Sequence, residues 1–147
     1  MEGYNCYSTP TEGEKGGSLL YIADRFQTRP RKDLEKIMYK SMELESTFRE
    51  IILKNQKNII VGCIYRHPNM GLAEFNDLNS KMLEKLNKEN KKVYLMGDFN
   101  IDLLKVDSDK NISNYYNIIT ANLFVPHITL PTRITSHSQT LIDNIFK

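Results

Sequence analysis

The chain has 147 residues, 40% hydrophobic and 26% charged, with a formal net charge of +2. This suffices for one domain with a real core and hardly for two, and the composition is that of an ordinary globular protein. The near-neutral balance excludes a global basic field for nucleic acid, and two distant cysteines, Cys6 and Cys63, exclude a disulfide framework or a zinc site.

No apolar stretch approaches ~18 residues, so no membrane span or membrane partner is expected. The polar N-terminus lacks a signal-peptide core, which points to an intracellular protein, and no obligate protein partner is evident. Residues 1–17 read as a polar, glycine-rich loop with room for a short entry strand. After Gly16-Gly17, Ser18-Leu19-Leu20-Tyr21-Ile22 reads as a strand. Residues 24–36 carry Arg25, Arg29, Arg31, Lys32 and Lys36 around Pro30, diluted by Asp24, Asp33 and Glu35. That segment is either a solvated connection or a phosphate-facing patch.

A second strand runs from Glu45 to Ile52 and a third from Asn58 to Tyr65, across the turn-like Lys54-Asn55-Gln56-Lys57. The short connection predicts an antiparallel hairpin, and the continuous apolar character of the third strand predicts a central place with both faces covered. Cys63 lies in that run as a small core residue. The strand ends in Tyr65-Arg66-His67-Pro68-Asn69, where proline breaks the ladder. Leu72, Phe75, Leu78, Met82 and Leu86 recur at helical spacing, with Asn69 placed to cap the helix. A second helical stripe follows at Ile112, Tyr116, Ile119 and Leu123, and Leu141 to Phe146 closes the chain as a strand.

Between the helices lies Val93-Tyr94-Leu95-Met96-Gly97-Asp98-Phe99-Asn100. Four apolar residues suggest a strand buried on both faces, and in an extended chain Asp98 and Asn100 project to the same side. A carboxylate beside an amide suits a hard cation and phosphate oxygens. Gly, Asp and Asn are also turn residues, so a strand that simply ends here fits the same letters. Tyr65, Asp98 and Asp143 share one pattern, each a titratable side chain at the end of or within an otherwise apolar strand. A carboxylate buried without a partner is costly, so Asp143 calls for a cation, a histidine or a hydrogen-bond donor. If the three strands are neighbours, their ends converge on one rim.

Tyr65-Arg66-His67-Pro68-Asn69, Gly97-Asp98-Phe99-Asn100, Pro131-Thr132-Arg133 and Leu141-Ile142-Asp143-Asn144-Ile145 follow one another in the order of the endonuclease/exonuclease/phosphatase superfamily. More narrowly, the chain resembles the endonuclease domain of jockey-type non-LTR retrotransposons, proteins in which an RNA-directed DNA polymerase accompanies the nuclease. The resemblance implies an α/β fold of the α+β kind, a two-sheet β-sandwich flanked by helices. It implies a Mg²⁺ (or Mn²⁺) phosphodiesterase acting on DNA, in a nuclear setting among others. On that reading Tyr65, Asp98, Asn100 and Asp143 are catalytic. Asp98 and Asn100 lie at the metal; Asp98 positions or deprotonates water and Asn100 bonds the scissile phosphate. Tyr65 steadies developing charge, Asp143 orients a general histidine, and Arg66, Thr132 and Arg133 contact DNA phosphates. The family's metal-binding glutamate has no match upstream, since Glu12 and Glu14 lack its motif. Its Ser-Asp-His segment is also unmatched, and His137 reads as a surface-loop residue. The resemblance therefore predicts one incomplete domain over 1–147, a weakly active or inactive piece of a target-nicking endonuclease. A small-phosphoester phosphatase of the same fold, and a non-catalytic remnant with weak nucleic-acid binding, stand as the alternatives.

Overall fold

The computed structural model describes residues 2–9 and 17–147; Glu12, Glu14 and Gly16 lie outside them. In chain order the elements are β1 (Tyr4–Thr9), β2 (Ser18–Ala23), β3 (Thr28–Pro30), α1 (Lys32–Glu35), β4 (Leu44–Ile51), β5 (Ile59–Arg66), α2 (Leu72–Glu89) and β6 (Lys92–Asp98). A single 3₁₀ turn (Leu103–Lys105), α3 (Lys110–Ala121), β7 (Arg133–Ile134), β8 (Gln139–Thr140) and β9 (Asp143–Phe146) complete them. Among the described residues no helix is long and apolar enough to cross a membrane.

A five-stranded sheet in the order β3-β4-β5-β6-β9 carries the molecule, with β5 at its centre. The predicted hairpin is present: β4 and β5 pair antiparallel, with Phe48 opposite Gly62. Parallel strands cannot be joined by a tight turn, and the 18-residue α2 supplies the crossover that lets β6 run parallel to β5. Strand β9 then pairs antiparallel with β6. One face of this sheet buries Leu44, Phe48, Ile60, Ile64, Val93, Leu95 and Phe146 against Phe75, Met82, Leu83, Tyr115 and Ile119 of the helices. The other face receives the β1–β2 hairpin, whose Leu20 and Ile22 pack on Val61 together with Cys63, Tyr94 and Met96. Both faces of β5 and β6 are thus occupied, which is why their sequences are apolar without alternation.

Three sequence expectations need correction, while the short entry strand allowed for in the N-terminal segment is present as β1, paired along its length with β2. The helix begins at Leu72 with the extended Gly71 at its N-cap position, and Asn69 makes no cap. The second helix buries Ile112, Tyr115 and Ile119, while Leu123 lies beyond its end at φ +67° and is 86% exposed. The basic segment 24–36 is not loop throughout, although Arg25, Arg29, Lys32 and Lys36 are exposed as in a solvated connection. It forms β3 and α1, and its Arg31 is buried.

Arg31 is buried because it closes an ionic cluster at the end of the sheet where β6 begins. The fully buried Glu50 carboxylate meets Lys91 at 2.8 Å, Arg29 at 3.0 Å and Arg31 at 3.4 Å, and accepts from Asn58 Nδ2 at 2.8 Å. Arg31 also pairs with Asp33 at 2.8 Å and with Glu89, and Lys85 meets Asp33 at 3.0 Å. Strand β4, the entry to α1, the end of α2 and the start of β6 are therefore tied by one set of charges. Burial alone would push the Glu50 carboxyl up, but hydrogen bonds from Lys91, Asn58 and Arg29 overcome it and hold the group at about 2.

Replacing Glu50 by alanine removes the buried anion that Arg29, Arg31 and Lys91 share, leaving Arg31 with Asp33 and Glu89 and Lys91 with Glu89, and should cost about 3 kcal/mol near pH 7. The folded pKa of about 2 lies below the ordinary 4.5, so the carboxylate's contribution is complete above that ordinary value. It fades as pH falls toward the folded value. Urea titrations of both proteins should show a stability gap that shrinks in acid; a gap constant across that window would contradict this account.

Candidate active site

The sheet's registers bring the titratable strand-end residues into one row. Tyr65 on β5 faces Asp98 on β6, and Asp98 faces Asp143 on β9. Directly opposed residues share a face, so all three side chains stand on the side that carries the β1–β2 hairpin. All three are half-buried. Gly97, one residue before Asp98, explains how the strands approach closely enough. Its φ is +144°, and a Cβ there would lie 1.9 Å from the Ile64 carbonyl oxygen.

Asn100 reaches the same rim by a different route from the one its spacing suggests. Strand β6 stops at Asp98, and Asn100 takes a left-handed φ of +49°. The two-residue pleat therefore does not extend to it. A side-chain-to-backbone turn brings it there instead: Asn100 N donates to Asp98 Oδ1 at 2.9 Å. The Asn100 Nδ2 donates to the Arg66 carbonyl at 2.7 Å, which leaves one amide N–H for an incoming acceptor.

Thr132 stands beside Asp143. Its Oγ1 accepts from Ile142 N at 3.3 Å and from Asp143 N at 3.2 Å, so its own O–H is directed away as a donor. Arg133 is exposed at the start of β7, and its charge is felt at Asp98. Arg66 does not face solvent. Only 5% exposed, it turns beneath the rim and bonds main-chain carbonyls, which corrects its reading as a DNA contact. His137 is exposed between β7 and β8, as a surface-loop residue would be, and His127 is exposed beside β9.

Two residues at this rim escaped the sequence reading. Glu45 faces Tyr65 across the β4–β5 pairing and is 4% exposed, its Oε2 accepting from Gly17 N. Only the hairpin register reveals it, because its neighbours in sequence are ordinary for an edge-to-core strand. His67 lies past the end of β5 with its ring edge-on to Tyr65, centroids 6.5 Å apart. Its Nδ1 accepts from Asn69 N at 3.3 Å, which assigns the proton of the neutral ring to Nε2.

In the electrostatics of the row, neither Asp98 nor Asp143 makes a salt bridge among the described residues. Burial pushes the Asp98 carboxyl up; the Asn100 N–H opposes this, the facing Asp143 charge adds to it, and Arg66 and Arg133 offset some of it. Asp98 retains one oxygen with no protein partner, and Asp143 has none on its carboxylate, among the described residues. Two carboxylates directly opposed on one face destabilise a sheet unless something positive lies between them. No group of three or more His, Cys, Asp or Glu side chains able to hold a metal occurs among the described residues. The row thus offers a pair of carboxylates, a number that suits Mg²⁺ when substrate phosphates complete the shell.

No protein-family model and no curated protein sequence matches the chain. Solved structures do. The endonuclease domain of TRAS1, a telomere-specific non-LTR retrotransposon, is similar over 99% of this chain and 67% of its own, with a TM-score of 0.72 at 12% identity. The human Nocturnin catalytic domain matches 98% of this chain and 60% of its own, with a TM-score of 0.64 at 14% identity. An endonuclease/exonuclease/phosphatase family protein from Bacteroides thetaiotaomicron matches 99% and 60%, with a TM-score of 0.59 at 14% identity. The chain has the endonuclease/exonuclease/phosphatase fold, and it spans 60 to 67% of the length of these three structures.

A raised folded pKa means that the native state binds a proton more tightly than the unfolded one, so ionised Asp98 lowers stability as pH rises through that value. Asp98→Asn keeps an acceptor for the Asn100 N–H and removes the charge facing Asp143. It should raise the melting temperature near neutral pH, with the gain vanishing in acid where Asp98 is protonated. Thermal melts across that range check this, and an Asn variant less stable at neutral pH would refute it.

Proposed function

We propose, from the endonuclease/exonuclease/phosphatase fold and this row of residues, that the chain carries the site of a divalent-metal-dependent DNA endonuclease, one that hydrolyses phosphodiester bonds. The observation that supports this reading best is the shared register of Tyr65, Asp98 and Asp143, with Asn100 bent back onto Asp98. Hydrolysis of a phosphodiester demands three things: a placed water, donors for developing negative charge, and relief of repulsion between anions.

Each residue answers one of these demands. The Asp98 carboxylate, with one oxygen held by the Asn100 N–H, accepts from the attacking water through the other. The remaining Asn100 amide N–H and the Tyr65 hydroxyl donate to the non-bridging oxygens. Thr132, its lone pairs occupied by two main-chain donors, gives its proton to the DNA backbone. Arg133 adds an exposed phosphate contact. Asp143 faces Asp98 and would share a cation with it or hold an imidazole in place. A bound Mg²⁺ or Mn²⁺ would neutralise charge on the phosphate beside these carboxylates. With two carboxylates to hold it, cation binding by the protein alone is weak, and turnover should be slow and dependent on metal concentration. The retrotransposon setting of the TRAS1 domain makes a target-nicking role the specific form of this proposal.

The assay is relaxation of supercoiled plasmid by the 147-residue chain with Mg²⁺ or Mn²⁺ and with chelator. The expected result is slow, metal-dependent nicking that falls about 100-fold or more in Asp98→Ala, the scale of losing one group from a catalytic set. Binding to a short duplex should weaken steeply as salt rises, because phosphate contacts dominate. Nicking that survives both chelator and Asp98→Ala would remove the assignment, as would a duplex titration that leaves the Asn100 and Thr132 resonances unmoved.

A further inference from the structure

Arg66 is a buried cation that makes no salt bridge among the described residues. Arg31, the other buried arginine, is met by Asp33, Glu50 and Glu89. Arg66, 5% exposed, has no carboxylate within ion-pair distance among the described residues. Its partners are main-chain carbonyls instead. Nε donates to Phe99 O at 2.7 Å and Nη2 to Asn100 O at 2.8 Å; Nη1 donates to Met70 O at 2.5 Å and to His67 O at 3.4 Å. Burial pushes its pKa down, and the nearby Asp98 charge works against that. A guanidinium stays charged at neutral pH even so.

The peptide units it grips are the two that follow Asp98. Asn100, at φ +49°, sits in a backbone region that residues other than Gly, Asn and Asp seldom enter. Its carbonyl is fixed by Arg66 Nη2, and its side-chain Nδ2 returns to the Arg66 carbonyl at 2.7 Å. The main chain and side chain of each residue are thus engaged with the other. Met70, on the segment leading into α2, anchors the guanidinium from a third side. The Asn100 N–H then lies on Asp98 Oδ1 because the bend that carries it is held from below.

We propose that Arg66 is a positioning residue: its dry, forked guanidinium fixes the left-handed Asn100 and so aims the Asn100 amide and the Asp98 carboxylate at a phosphodiester. The aim at a phosphodiester rests on the function proposed above; the clasp itself does not. Lysine cannot replace it, since a single ammonium cannot span carbonyls that a planar fork reaches in three directions.

The test uses the ¹⁵N-labelled 147-residue chain and its Arg66→Lys variant. In the wild type the Arg66 Nε–H should be protected from solvent exchange while that of exposed Arg133 exchanges freely, and the Asn100 amide, held on Asp98 Oδ1, should exchange slowly too. In Arg66→Lys that Asn100 protection should be lost, while the amide signals of core Leu83 and Ile119 stay in place. Plasmid turnover should fall about 100-fold with KM for DNA within about twofold, the pattern of a misplaced catalytic group. A raised KM with a shallower salt dependence and an unchanged Asn100 amide would overturn the proposal and make Arg66 a DNA contact. If the variant does not fold, an Arg66 Nε–H that exchanges as fast as that of Arg133 in the wild type overturns it alone. If nicking proves independent of Asp98, the phosphodiesterase reading falls, and the exchange and Asn100 measurements still decide the clasp.

Discussion

The site depends on β6 being paired on both edges in fixed register. Its parallel pairing with β5 sets Asp98 beside Tyr65, and its antiparallel pairing with β9 sets Asp98 beside Asp143. A slip of one residue in either ladder would turn one of these side chains to the helix face. Gly97 guards the register at the critical point, because any Cβ there would overlap the Ile64 carbonyl. Phe48 acts similarly on the neighbouring strand, its ring filling the space over Gly62 and leaving 2.3 Å for a Cβ.

The two ends of the sheet treat charge in opposite ways. Where β6 begins, Glu50 is enclosed by Lys91, Arg29 and Arg31, and the elements around it are bound by complementary pairs. Where β6 ends, Asp98 and Asp143 face each other without a salt bridge to either among the described residues, and the buried Arg66 lies near enough for its charge to be felt at Asp98 but bonds main-chain carbonyls. The first arrangement favours folding. The second opposes folding, and on the function proposed above it is the place for a hard cation together with a phosphodiester. Opposite charges are present at that end too, but Arg66 is committed to carbonyls and cannot swing up to quench the carboxylates.

Much of the fold was legible in the letters. The unbroken apolar runs of 58–65 and 93–96 announced strands covered on both faces, the 72–86 stripe announced the helix between them, and the short 54–57 turn announced an antiparallel hairpin. The misreadings have a common cause. The segment 24–36 looked like loop because its charges were counted as solvated, whereas Arg31 is balanced by Glu50 and Glu89, residues 19 and 58 positions away. Arg66 looked like a phosphate ligand because arginine beside a strand end suits one, yet its donors point inward. Leu123 looked like core because it continued a period of three and four, but the helix had already ended at Ala121.

The sequence by itself determined which segments are apolar on two faces, on one, or on none, and it named Tyr65, Asp98, Asn100 and Asp143 as polar residues where apolar strands run out. Those follow from local periodicity and from the cost of burying a lone carboxylate, which need no partner to be stated. The tertiary structure alone decided that Tyr65, Asp98 and Asp143 stand in one row, that Glu45 and His67 join that rim, and that Asn100 arrives by a left-handed bend clasped by Arg66. Register, and the direction in which a long side chain turns, are set by contacts between segments tens of residues apart, and no local pattern encodes them.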